Sequence, residues 1–148
     1  MRNVEKSDPS APSLVKIKWI DGLRFVATDS TGHSIVMDAS TESGGEGSGF
    51  SPMQLLLIAL GGCTSMDVVH ILQKQRQQVN GLEVSVTGHR VKDPPRIYHN
   101  IRVEYKIMGT NIKENAIQRA IQLSEDRYCS VGAMLKTKAK VVSDYVIQ

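Results

Sequence analysis

Cysteine is nearly absent from this 148-residue chain: there are two, Cys63 and Cys129, 66 positions apart and without a C-x-x-C pair. A disulfide-stapled scaffold is therefore excluded, and so is a zinc ribbon, since the four histidines (His33, His70, His89, His99) also lack ligand-like spacing. Aromatics are few, seven in all, and the net charge is only +3 with lysine and arginine spread along the chain. That argues against a nucleic-acid groove, which needs clustered cations and stacking rings. Long hydrophobic runs are missing too. The most apolar, Met53 to Leu60, already includes Gln54, short of the ~20 residues of a bilayer span, and the polar start from Met1 to Pro12 has no signal-like apolar core. With 41% hydrophobic and 22% charged residues the chain is neither disordered nor fibrous. The expectation is a globular, cytoplasmic protein with no membrane partner and no nucleic-acid partner.

What is present orders itself readily. Residues 1–13 carry prolines and serines and read as a loose tail, leaving 14–148 as one domain. Leu14 to Ile20 alternates apolar residues with lysine, Asp21-Gly22 marks a hairpin, and Leu23 to Thr28 supplies the second strand. A turn at Asp29 to Gly32 leads into Ser34 to Met37. Thr41 to Ser51 holds Gly44, Gly45, Gly47 and Gly49 but matches no phosphate-binding pattern, so it reads as a flexible connector. Ser51, Pro52 and Gln54 sign a helix start, and the helix reads on to about Gln78, apolar nearly all round in its first half. Alternating strands follow over Leu82 to Thr87 and Ile97 to Met108. Asn111 offers an N-cap to a helix from about Ile112 to Ser124, Tyr128 to Leu135 is a short apolar-periodic segment, and Lys140 to Ile147 closes as a strand. Lys136, Lys138 and Lys140 alternate as on one strand face. The order, three strands, a helix, two strands, two helices and a strand, is α+β.

Chemistry can reside in the two thiols, or they can be small core residues, as free cysteines often are. Cys63, Asp67 and His70 share a helix face, but His70 is ~10.5 Å along the axis from Cys63, and a carboxylate one turn away opposes a thiolate. Neither Asp67 nor His70 is given a catalytic role on those grounds. A reactive thiol needs a lowered pKa, and a cation is the plausible source, with Arg24 and Arg127 as candidates; a break at Gly61-Gly62 giving a fresh helix N-terminus is the other.

The segment Phe50-Ser51-Pro52-Met53-Gln54-Leu55-Leu56 through Ala59-Leu60-Gly61-Gly62-Cys63, with Tyr128-Cys129-Ser130-Val131 downstream, closely resembles the OsmC/Ohr family of thiol peroxidases. The likeness runs over nearly the whole chain from about Leu14, including the hairpin Trp19-Ile20-Asp21-Gly22. It implies an OsmC-like fold, antiparallel sheets around a long central helix in an intertwined homodimer, and a cysteine-based reductase of organic hydroperoxides. Cys63 matches the peroxidatic cysteine and Cys129 the resolving one, joined by a disulfide that a small thiol or dithiol reduces. No metal, haem or flavin is implied, so no cofactor is expected. At one place the chain departs from the pattern: Met53, followed by Gln54, stands where the better-characterised peroxidases carry a glutamate paired with the thiolate-supporting arginine. That makes the rival expectation worth carrying: a non-enzymatic dimer of the same fold that binds an apolar ligand at its interface or serves as a thiol redox sensor.

Overall fold

A computed structural model describes residues 8 and 10–148; most of the expected tail, residues 1–7 and 9, lies outside it. The elements are β1 (Val15–Asp21), β2 (Arg24–Asp29), β3 (Ser34–Met37), a 3-10 turn (Thr41–Ser43), α1 (Pro52–Lys74), β4 (Gln78–Arg90), β5 (Tyr98–Thr110), α2 (Glu114–Leu123), a π turn (Ser124–Tyr128), α3 (Ser130–Leu135) and β6 (Lys140–Ile147). The chain divides into two compact units between Pro52 and Met53.

In the first unit β1, β2 and β3 form an antiparallel meander. Gly22 takes φ +48° at the first turn, where a left-handed residue reverses the chain, and Trp19 Nε1 donates to its carbonyl at 3.0 Å. At the second, the Asp29 carboxylate accepts from the Thr31 and His33 backbone N–H groups, an Asx-type closure. Period-two alternation puts Val15, Ile17 and Trp19 on one face with Phe25, Ala27, Ile35 and Met37. The β1 part of that face is exposed, Val15, Ile17 and Trp19 each at 62%, while Phe25, Ala27, Ile35 and Met37 are half-buried. The glycine-rich segment after β3 is no loose connector. Buried Asp38 accepts from the backbone N–H groups of Ala39, Glu46 and Ser48 and from Ser48 Oγ, and these bonds hold its carboxyl below the usual range. Gly45 is needed for close approach, since a Cβ there would stand 2.2 Å from the Ala39 carbonyl oxygen.

In the second unit β5 is the central strand, and its alternation decides the core. Ile101, Val103, Tyr105 and Ile107 are buried on one face, while Arg102, Glu104 and Lys106 take the other, where Arg102 pairs with Asp144 of β6 at 2.6 Å. β4 pairs antiparallel to β5 and β6 runs parallel to it, so this sheet is mixed rather than wholly antiparallel. The reason is the connection: α2, the π turn and α3 form a crossover, which a parallel pair requires. On the buried face α1 contributes Leu60, Val68, Ile71 and Leu72, and α2 contributes Ala116, Ile117, Ala120 and Ile121.

Several boundaries differ from the sequence reading. α1 ends at Lys74, four residues early, and Arg76 at φ +56° turns the chain into β4. Asn111, also left-handed at φ +52°, is not a cap; Lys113 occupies that position. Lys136 and Lys138 lie in the turn after α3, so only Lys140 is on a strand. α1 passes unbroken through Gly61-Gly62, which removes a fresh N-terminus as an activating device for Cys63. Over its 23 residues α1 is also long and apolar enough to cross a bilayer, because uncharged Gly61, Gly62, Thr64 and Ser65 extend the apolar run. Its buried residues pack in the α+β core, whereas Leu56, Ile58 and Met66 stay exposed.

Candidate functional site

Cys63 sits near the middle of α1, three residues after buried Leu60, and Cys129 immediately follows the π turn, as the N-cap of α3. The five residues Ser124–Tyr128 carry the chain from α2 to α3 with a hydrogen bond that spans five residues instead of the four of an α-helix, Cys129 N–H to the Ser124 carbonyl. That offset aims Cys129 back at α1. Cys129 Sγ accepts from the Gly132 N–H at 3.2 Å, and a Cβ on Gly132 would lie 3.2 Å from that sulfur, so the small residue keeps the cap tight.

The two sulfurs and a carboxylate oxygen of Asp67 lie within 4.8 Å of one another. Cys129 is 4% exposed and Cys63 is half-buried; both are free thiols. Burial, then hydrogen bonding with Cys63, pushes the Cys129 thiol up to about 11. Behind the sulfurs runs a buried polar chain. Ser124 Oγ donates to Asp67 Oδ2 at 2.8 Å and lies 3.0 Å from Thr64 Oγ1, which also bonds the Tyr105 hydroxyl. Ser143 Oγ donates to Glu125 at the far side. Tyr105 is itself pushed up to about 12, chiefly by burial, so it stays a neutral hydroxyl.

On the far side of Asp67 opens a cavity of about 620 Å³ lined by Asp67, His70, Ile71, Lys74, Gln75, Arg119, Leu123 and Tyr128, whereas Cys129 lines only a space of about 10 Å³ beside Leu60, Thr64 and Tyr105. The larger cavity is within the usual size range for a small-molecule site. His70, set aside in the sequence reading, lines the cavity, and Asp67, also set aside, stands beside both sulfurs. On its own helix the Asp67 charge only opposes a thiolate; Ser124 reaches it from a turn 57 residues away, a partner that helix spacing does not reveal. Of the two arginines, Arg127 lies on the π turn, its guanidinium carbon 5.8 Å from the Tyr128 ring centroid. Arg24, in the first unit, is held by Asp21 and Glu46, each at 2.9 Å.

Two free thiols from separate elements are thus brought within 4.8 Å of one another on an α+β frame. The chain belongs to the OsmC-like family: the family model described as OsmC-like protein matches residues 45–144. It is 39% identical over 132 residues to Protein YhfA of Escherichia coli (strain K12), an alignment covering 89% of this chain and 96% of that protein. Among solved structures, a hypothetical protein from Aquifex aeolicus VF5 is 32% identical with a TM-score of 0.82, covering 93% of this chain and 97% of the other. The organic hydroperoxide resistance protein OsmC from Legionella pneumophila shares the fold at 14% identity and a TM-score of 0.69, covering 93% and 98% of the two chains.

Proposed function

We propose that this protein is a thiol peroxidase that reduces organic hydroperoxides, with Cys63 as the peroxidatic and Cys129 as the resolving cysteine. The observation that carries the reading is the convergence of the two sulfurs, 66 residues apart in sequence, to within 4.8 Å. In this scheme the Cys63 thiolate attacks the terminal peroxide oxygen, the O–O bond breaks, and the alcohol departs after taking up a proton. Cys63 is left as a sulfenic acid, Cys129 condenses with it, and a small thiol or dithiol reduces the disulfide. Asp67 joins the thiol pair to the cavity, where Ile71, Leu123 and Tyr128 favour an organic substituent over hydrogen peroxide because they desolvate apolar groups at little cost. Arg127 or Arg24 supports the thiolate; the existing pairing of Arg24 with Asp21 and Glu46 favours Arg127. No metal or cofactor enters the cycle, and a reducing cytoplasm suits it.

The test is a stopped-flow trace of reduced protein with cumene hydroperoxide and with hydrogen peroxide, followed by peptide mapping. Substoichiometric cumene hydroperoxide is expected to yield the Cys63–Cys129 disulfide. Closing that loop should raise the stability of the oxidised form by roughly 4 kcal/mol in the chain-entropy model. Both thiols remaining free would favour the non-enzymatic reading, an interface that holds an apolar ligand.

The active form is a homodimer, the usual state in this family. The support is uncovered apolar surface in each unit: Val15, Ile17 and Trp19 on the first sheet, and Leu56, Ile58 and 75%-exposed Met66 on α1. Such surface is costly to leave in water and marks an interface. Sedimentation equilibrium at micromolar concentration should give twice the 16.3 kDa chain mass; a monomer would sink the proposal.

A further inference from the structure

The scheme above leaves Asp67 idle, although its carboxylate lies within 4.8 Å of both sulfurs. A negative charge there does nothing to help Cys63 become a thiolate. The second half of the cycle gives it a use. Cys129 must lose a proton to attack, and the oxygen leaving Cys63 must gain one. Burial, then the hydrogen bond with Cys63, pushes the Cys129 thiol well above the ordinary thiol range, so little of it is thiolate at neutral pH.

We propose that Asp67 carries the proton in the resolving step. As an electron pair on Cys129 Sγ attacks Cys63 Sγ, the Asp67 carboxylate takes the thiol proton and passes it to the departing oxygen. One S–S bond forms, one S–O bond breaks, and water leaves. The two electrons come from the Cys129 sulfur, so no outside reductant or oxidant takes part, and Asp67 ends as it began. This assignment rests on the peroxidase reading for the sulfenic acid, but removal of the Cys129 thiol proton is required whatever group leaves Cys63.

The geometry supports a carrier rather than an incidental acid. Ser124 Oγ holds Oδ2 at 2.8 Å, and Ser124 is in turn fixed by Thr64 and, through it, Tyr105, so α1, the π turn and β5 together orient the group. Among the described residues no hydrogen bond occupies Oδ1, which leaves that oxygen for the proton. The other titratable groups around the site are Cys63 on the same helix, Tyr105 on β5 and Glu125 on the π turn, the last engaged by Ser143. His70, Lys74 and Arg119 line the cavity onto which Asp67 opens, and none of the described carboxylates forms an ion pair with them.

The experiment follows the two phases of 5-thio-2-nitrobenzoate release from reduced wild type, Asp67→Asn and Asp67→Glu treated with one equivalent of 5,5′-dithiobis(2-nitrobenzoate). The first phase reports attack by Cys63, and the second reports displacement by Cys129. Asp67→Asn is expected to leave the first phase as fast or faster, and to slow the second about 10- to 100-fold at pH 7, with a rate that climbs about tenfold per pH unit. Asp67→Glu should restore most of the second-phase rate and flatten its pH profile. An Asp67→Asn second phase with wild-type rate and pH profile overturns the proposal. So does an equal slowing of both phases that Asp67→Glu fails to rescue, since that is what a merely structural role produces. A parallel arm traps sulfenic acid with dimedone after cumene hydroperoxide: if wild type forms none, the peroxidase reading fails while the nitrobenzoate phases still decide the role of Asp67.

Discussion

Cys63→Ser is expected to reduce cumene hydroperoxide no faster than free solution does. A serine hydroxyl offers no thiolate at neutral pH, and sulfur is the atom that accepts the peroxide oxygen, so the whole enzymatic enhancement, about 10⁶-fold or more in enzymes generally, is forfeited with it. Cys129→Ser separates the two halves of the cycle. It should consume one equivalent of peroxide, stop, and accumulate a Cys63 sulfenic acid that dimedone traps, because the only thiol within 4.8 Å has gone. Stopped-flow absorbance with mass spectrometry of the adduct reads both variants. Sustained turnover by Cys63→Ser would move the chemistry away from this site altogether.

The second large effect is on stability. Ile117→Ala should cost about 2–5 kcal/mol, since the side chain is 0% exposed between α2 and the buried face of β5, and deleting it leaves a cavity that packed strands cannot fill. At about 2–4 °C per kcal/mol for a chain of this size, the melting temperature should fall by roughly 5–15 °C. Arg119→Ala, two positions on and exposed, should move it far less. The loss has a functional side, because α2 runs directly into the π turn that carries Ser124 and presents Cys129. Calorimetry of the two variants side by side checks the contrast. Equal melting temperatures would show that α2 is not anchored by its apolar stripe.

How far the sequence reaches is seen best at particular elements. β6 falls at Lys140–Ile147 as alternation places it, and the buried stripe of α2 is the one its 3.6-residue period marks, because in both cases local pattern and burial agree. The end of α1 shows the opposite. Gln75, Arg76 and Gln77 favour helix locally, yet the Gln77 side chain accepts from the Lys113 backbone N–H at 2.9 Å, a partner 36 residues away, and Arg76 turns left-handed to permit it. The mixed second sheet could not be seen either, since strand direction depends on where a crossover ends rather than on the strand's own residues.

The site divides in the same way. Residue identity and its family resemblance were sufficient to single out Cys63 and Cys129 and the α+β frame that holds them. Only the tertiary structure brought Asp67 beside both sulfurs and fastened it with Ser124, and only it turned two candidate cations toward a ring and toward surface carboxylates. The physical reason is range. Periodicity and capping act over a few residues of one element, whereas the chemistry of a buried thiol is set by whatever charge, hydroxyl or solvent stands within about 5 Å, and those neighbours come from helices, turns and strands that only packing brings together.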